Sequence, residues 1–142
     1  AVIAERPEAE ESALDRYGMN LGIAFQLVDD YLDYAAHGDD FGKDVGDDFR
    51  EGKITLPIVL AFRRGSDDEK AFWRRTLERL EQRDGDLGHA IELMQAHNAL
   101  SDTLVRARGY AQTARAALEL FPEGPYRTAL EDVVEFCVER AY

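Results

Sequence analysis

One cysteine, Cys137 in "VVEFCVERAY", leaves the chain without an intrachain disulfide and without a Cys/His set at zinc spacing. It reads as a small buried hydrophobe. Three histidines, His37, His89 and His97, are not spaced as a metal trio and fit surface or helix-end roles. Proline occurs only at 7, 57, 122 and 125, and β-branched clusters with period two are missing. That excludes a sheet protein and points to an all-α chain. No apolar run approaches the length of a membrane span, and no signal-peptide pattern is present, so a cytoplasmic protein is expected. Basic residues are also scarce: 17 Lys and Arg against 29 Asp and Glu, a net charge of −12. Such a balance argues against nucleic acid, which asks for clustered Lys and Arg, and it allows cation binding.

What is present is helical spacing over enough chain for one domain with a real core. The opening "AVIAERPEAEE" lacks Met and reads as the tail of a preceding helix, as in a fragment of a longer protein. Pro7 and the acids after it start a long helix, expected over about 8–34. A polar loop with four glycines follows over 36–53, then a short buried helix in "TLPIVLAFRRG" (55–65), with Pro57 tolerated in its first turn. Ser66 with Glu69 three residues later predicts a capped amphipathic helix over 66–84. "GDLGHAIELMQAHN", the stretch 99–121 and "YRTALEDVVEFCVERAY" supply the remaining helices. Phe72 and Trp73 read as helix packing, and Arg106, Arg108 and Arg115 as a solvated helix face.

The negative charge is concentrated in the first third of the chain. Residues 1–50 hold 13 acids and 4 bases, whereas residues 51–142 hold 16 and 13. Within that acidic part, "FQLVDDYLDY" sets Asp29, Asp30 and Asp33 in an otherwise apolar and aromatic run. At about 100° per residue, Gly18, Gly22, Gln26, Asp29, Asp30 and Asp33 share one helix face. The rest of the circumference is nearly all apolar, which predicts burial in a bundle with the polar stripe facing a cleft. The glycines remove bulk one and two turns before the acids, as a groove would require.

The acids also sit at the negative end of the helix dipole, where each is disfavoured by a few tenths to ~1 kcal/mol, and Asp29 and Asp33 repel at i, i+4. A hard divalent cation, Mg²⁺ or Mn²⁺, resolves that conflict. Close behind comes "FGKDVGDDFREGKITLP", with Lys43, Arg50 and Lys53 among glycines that permit close approach to a ligand. Lysines beside a metal–carboxylate cluster suit a diphosphate, whose oxygens are shared between metal and ammonium groups. Asp48 is placed to hold a metal-bound water or to orient a lysine.

"GIAFQLVDDYLDY" followed by "FGKDVGDDFREGKITLPIVLA" resembles the second aspartate-rich region of the trans-isoprenyl (polyprenyl) diphosphate synthases. The order FQ-x-x-DD-x-x-D, a GK loop, then D-x-x-x-G-K-x-T-L-P carries the likeness, which extends to the C-terminus. Within the family it most resembles the bacterial long-chain octaprenyl and decaprenyl type. The resemblance implies the C-terminal part of the isoprenoid synthase helical bundle. It also implies an enzyme that joins an allylic prenyl diphosphate to isopentenyl diphosphate by metal-assisted ionisation. Carried over, Asp29, Asp30 and Asp33 are metal-site carboxylates with Asp48 in the outer shell. Gln26, Lys43, Lys53 and Thr55 bind substrate, the two lysines at the departing diphosphate. A homodimer or a self-associating fragment is expected.

The chain departs from the family pattern in lacking the first aspartate-rich motif and the upstream basic residues for isopentenyl diphosphate. These 142 residues alone are therefore expected to be inactive or nearly so, with apolar faces left exposed. Three other readings compete, the weakest a terpene cyclase, which shares acid-rich helices but is not expected to carry the loop "GKDVGDDFREGKITLP". A non-catalytic regulatory or interaction subunit on the same fold would be free to lose the acids and lysines kept here. A plain cation-binding helical domain would bind metal without diphosphate.

Overall fold

A computed structural model describes residues 2–35 and 45–140. After a 3₁₀ turn at Val2–Ala4, helix α1 runs over Glu8–Ala35. Its start is over-determined. Pro7 offers its carbonyl to the amides of Glu10 and Glu11, and Glu8, Glu10 and Glu11 meet the positive end of the dipole. Arg6 locks the first turn with two 2.8 Å bonds to Glu10. The short helix α2, Asp47–Arg50, lies within the stretch read as a polar loop. Then come α3 (Leu56–Arg64), α4 (Asp67–Trp73), α5 (Asp86–Ala96), α6 (Ala99–Ala117) and α7 (Pro125–Glu139). Among the described residues there is no strand, and no helix is long and apolar enough to cross a membrane.

The predicted cap of α4 is present: Ser66 Oγ accepts from the Glu69 amide while Glu69 reaches back to the Ser66 amide at 2.6 Å. The expected helix over 66–84 nevertheless stops early. A π-helical turn occupies Arg74–Glu78, and Leu80 adopts φ 54°. The Thr76 hydroxyl donates to the carbonyls of Phe72 and Trp73, and the chain leaves the helix beyond Glu78.

The residues gather into two compact units. One comprises the chain up to Val28 and from Val105 onward; the other is Asp29–Leu104. In the first, Tyr17 and Ala24 of α1 join Ala111, Ala114 and Ala117 of α6 and Val134 and Cys137 of α7 in an apolar core. Small side chains at three-residue spacing on α6 give this core its short reach. The Tyr17 hydroxyl, buried at one end, donates to the Leu130 carbonyl at 3.0 Å. Arg140 stacks its guanidinium 4.1 Å from the centre of the Phe25 ring. Cys137 is buried, as read from the sequence. Met19, Val133, Phe136 and Tyr126 are exposed.

In the second unit the core is built from larger groups. Tyr34, Phe49, Ile58, Trp73, Leu77, Leu93 and Met94 are all buried together. Phe72 meets Trp73 edge-to-face at 5.2 Å, the packing role expected of that pair. Phe49 is 1 % exposed and anchors α2 into this core. That single side chain explains why a polar, glycine-rich stretch has a fixed end.

Candidate functional site

All three aspartates of the "DDYLD" stretch project from the last two turns of α1, within the second unit. Asp30 is buried at 6 % exposure, while Asp29 and Asp33 are half-buried. Gln26 stands one turn before Asp30 on the same helix and is exposed.

Asp33 is the hinge of the arrangement. Its backbone carbonyl accepts from the Gly46 amide at 2.8 Å, and its carboxylate Oδ2 accepts from the Asp48 amide at 3.2 Å. The chain thus returns to the end of α1 and is tied there twice. Gly46 makes this return with φ 84°, in the left-handed region that disfavours any side chain. Burial pushes the Asp33 carboxyl up, and the negative charge of Asp48 pushes the same way; the Asp48 amide offsets part of this.

Lys53 lies across Asp48. Its amide donates to the Asp48 carbonyl at 2.8 Å, and its ammonium holds Asp48 Oδ1 at 2.9 Å and Glu51 Oε2 at 2.8 Å. Both carboxylates hold the lysine protonated, Glu51 first and then Asp48. Arg50 turns instead to Asp47 at 2.8 Å. Thr55 caps α3 by position, and its hydroxyl is buried near the buried hydroxyl of Tyr34 without a well-aligned bond between them. Burial raises the Tyr34 phenol, with Thr55 pulling the other way. Lys43 and His37 lie outside the described residues.

The structure therefore brings Asp33, Asp48 and Lys53 together at one turn, with Asp29 and Asp30 on the helix that leads to it. Among the described residues, no group of three or more His, Cys, Asp or Glu side chains is set to hold a metal ion by itself. Mg²⁺ does not ask for one: it takes one or two carboxylates and fills its shell with water and phosphate oxygens. Hard oxygen donors, mutual repulsion at Asp33 and Asp48, and an adjacent ammonium fit a metal–diphosphate. A cavity of this unit, walled by Tyr31, Tyr34, Ile91, Met94 and Leu104, includes none of these carboxylates in its lining.

Sequence reading missed Glu51, which shares Lys53, and Tyr34, which backs Thr55. Glu51 was visible in "REGK", two residues before the lysine; Tyr34 gives no polar signal beside its aromatic neighbours.

The sequence profile of the polyprenyl synthetase family matches residues 1–94. This chain belongs to the polyprenyl synthetase family. An octaprenyl diphosphate synthase from Haemophilus influenzae is 42% identical over 142 residues, covering 100% of this chain and 43% of that protein. Among solved structures, a decaprenyl diphosphate synthase from Rhodobacter capsulatus superposes with a TM-score of 0.91 at 45% identity, covering 99% of this chain and 43% of that one. A polyprenyl synthase from Caulobacter crescentus, complexed with calcium and isoprenyl diphosphate, gives 0.87 at 47%, covering 100% and 43%. The all-α architecture is thus that of the isoprenoid synthase fold. The chain spans about 43% of the length of these relatives.

Proposed function

We propose that these residues are the C-terminal part of a long-chain polyprenyl diphosphate synthase, carrying the second aspartate-rich half of its metal–diphosphate site. The reaction joins an allylic prenyl diphosphate to isopentenyl diphosphate in a cytoplasmic setting. The allylic C–O bond breaks, diphosphate leaves, the isopentenyl double bond supplies the electron pair for the new C–C bond, and a proton is lost. The observation that carries this reading is the double tie of the Asp48–Lys53 turn onto Asp33. It sets a cation-seeking carboxylate and a phosphate-seeking ammonium side by side.

Asp29, Asp30 and Asp33 would hold Mg²⁺, or Mn²⁺, with Asp48 in the outer shell. When bound, the metal stabilises negative charge on the leaving diphosphate. Lys53 serves the same charge directly, exchanging Glu51 and Asp48 oxygens for phosphate oxygens. Lys43 would act beside it, Gln26 would orient the diphosphate or its waters, and Thr55 would hold the α3 end of the turn. The missing share of the relatives' length would supply the facing aspartate motif and the isopentenyl diphosphate site.

Calorimetry of this chain with a non-hydrolysable prenyl diphosphate analogue, with and without Mg²⁺, tests the reading. Binding that requires Mg²⁺ and disappears in Asp29→Ala is the expected result. Binding of Mg²⁺ that is indifferent to diphosphate would favour a plain cation-binding domain. Binding of neither, even after the facing half of a relative is supplied in trans, would refute the proposal.

A further inference from the structure

The turn that carries Asp48 and Lys53 is held from the far side by a segment with irregular backbone. Gln82 Nε2 donates to the Phe49 carbonyl at 2.7 Å and to the Thr76 carbonyl at 3.1 Å. It therefore bridges the middle of α2 and the π-helical turn. Leu80 presses its Cδ2 so close to Gly52 that a Cβ added there would lie 2.5 Å away. Leu87 fills the space beside Gly46 in the same manner. Three contacts thus clamp the turn: Leu87 at its start, Gln82 at its middle and Leu80 at its end.

The clamp is itself braced. Arg75 makes two parallel 2.8 Å bonds to the Asp86 carboxylate and a 2.6 Å bond to the Glu81 carbonyl. Asp86 Oδ2 also accepts from the Arg83 amide at 2.7 Å. These bonds fix residues 81–86 and hence the direction in which Gln82 points. Meanwhile Leu80 is kept at φ 54°, a conformation costly for a side chain of its kind, beside a π-helical turn. Strain of this sort persists only where its surroundings over-determine it. Here its result is to bring Leu80 and Gln82 onto the back of the turn.

We infer that Gln82 is a positioning residue: through the Phe49 carbonyl it fixes the turn that sets Asp48 and Lys53 against Asp33. What this says about diphosphate rests on the proposed function; what it says about the turn does not.

The test pairs amide hydrogen exchange with calorimetry on the whole chain. Four forms are compared: unsubstituted, Gln82→Met, Gln82→Glu and Gln82→Lys. Met keeps the length without the donor, Glu turns acceptors toward two carbonyls, and Lys restores a donor. Protection of the Gly52 and Lys53 amides is expected to fall about threefold to tenfold in Gln82→Met, the span of one lost hydrogen bond. It should fall further in Gln82→Glu and recover in Gln82→Lys, while amides of α3 and α5 keep theirs. Affinity for inorganic diphosphate in Mg²⁺ should drop by a similar factor in Gln82→Met.

Unchanged exchange at 52 and 53, or a loss confined to residues 76–82, would overturn the inference and leave Gln82 as a helix-end cap. Weakened protection with unchanged diphosphate affinity would uphold the grip on the turn and overturn its bearing on diphosphate. If the unsubstituted chain binds no diphosphate, the titration is repeated with the facing half of a relative in trans; the synthase reading fails if that too shows no binding, and the exchange pattern decides the role of Gln82 in either case.

Discussion

Gly46→Ala puts both supports of the turn under load at once. An alanine at φ 84° carries about 1–2 kcal/mol of left-handed strain. Its Cβ would also overlap Leu87 Cδ1 and sit 2.7 Å from Leu87 Cδ2, so Leu87 must shift against the core it packs on, an overpacking worth about 1–3 kcal/mol. The two together predict a loss of about 2–5 kcal/mol, a large part of the ~5–15 kcal/mol that holds a domain. Urea unfolding followed by helical circular dichroism should show a midpoint lower by about 1–2.5 M, for a slope near 2 kcal/mol/M.

Repeating the substitution on a Leu87→Ala background separates the two contributions. The strain remains and the overlap is gone, so Gly46→Ala should then cost only about 1–2 kcal/mol. Equal costs on both backgrounds would show that Leu87 does not occupy that space. A cost near zero on both would show that Gly46 does not take the left-handed turn, and the tie to Asp33 would fall with it.

Other outcomes follow from the same coordinates. Gly18 and Gly22 lie inside α1, exposed, and an added Cβ at either meets nothing within 4 Å. Gly18→Ala with Gly22→Ala should stabilise the isolated chain by about 1–2 kcal/mol and raise its melting temperature by about 3–8 °C; a decrease would mean that a second copy covers that face. Asp86 is held below the usual carboxylate range, chiefly by its bonds to Arg75. A depressed folded value means that its contribution is complete above about pH 4 and fades as pH falls through that range. Asp86→Asn should therefore lower the urea midpoint more at pH 7 than at pH 2.5; an equal loss at both would remove the ion pair from the account.

Where local chemistry decides structure, the sequence was a sufficient guide. Pro7 and its acids fixed the start of α1, Ser66 and Glu69 the cap of α4, and Pro57 the first turn of α3. The acidic face of α1 was visible as a conflict between charge and dipole. What escaped was set by tertiary contact. "TLERLEQRD" keeps helical spacing, yet its helix ends because Leu80 and Gln82 are needed against Gly52 and Phe49, some thirty residues earlier. Phe49 looked like one apolar residue in a polar loop, and only a core waiting for it makes α2. Glu51 stood in plain view beside Lys53, but adjacent charges in a loop have many possible partners, and only the fold selects this pair.

That pairing has a thermodynamic corollary. With its ammonium satisfied by Asp48 and Glu51, Lys53 offers a simple monoanion little that its own neighbours do not already supply. In the proposed site, a polyanion arriving with a divalent cation would change the exchange: the carboxylates that Lys53 releases would be open to the cation, and the released ammonium to the anion. Each ligand would thus prepare the other's partner. By linkage, magnesium must then tighten diphosphate binding by the same factor by which diphosphate tightens magnesium binding. On the proposed reading, the salt bridge seen at rest would favour the two ligands as a pair over either alone.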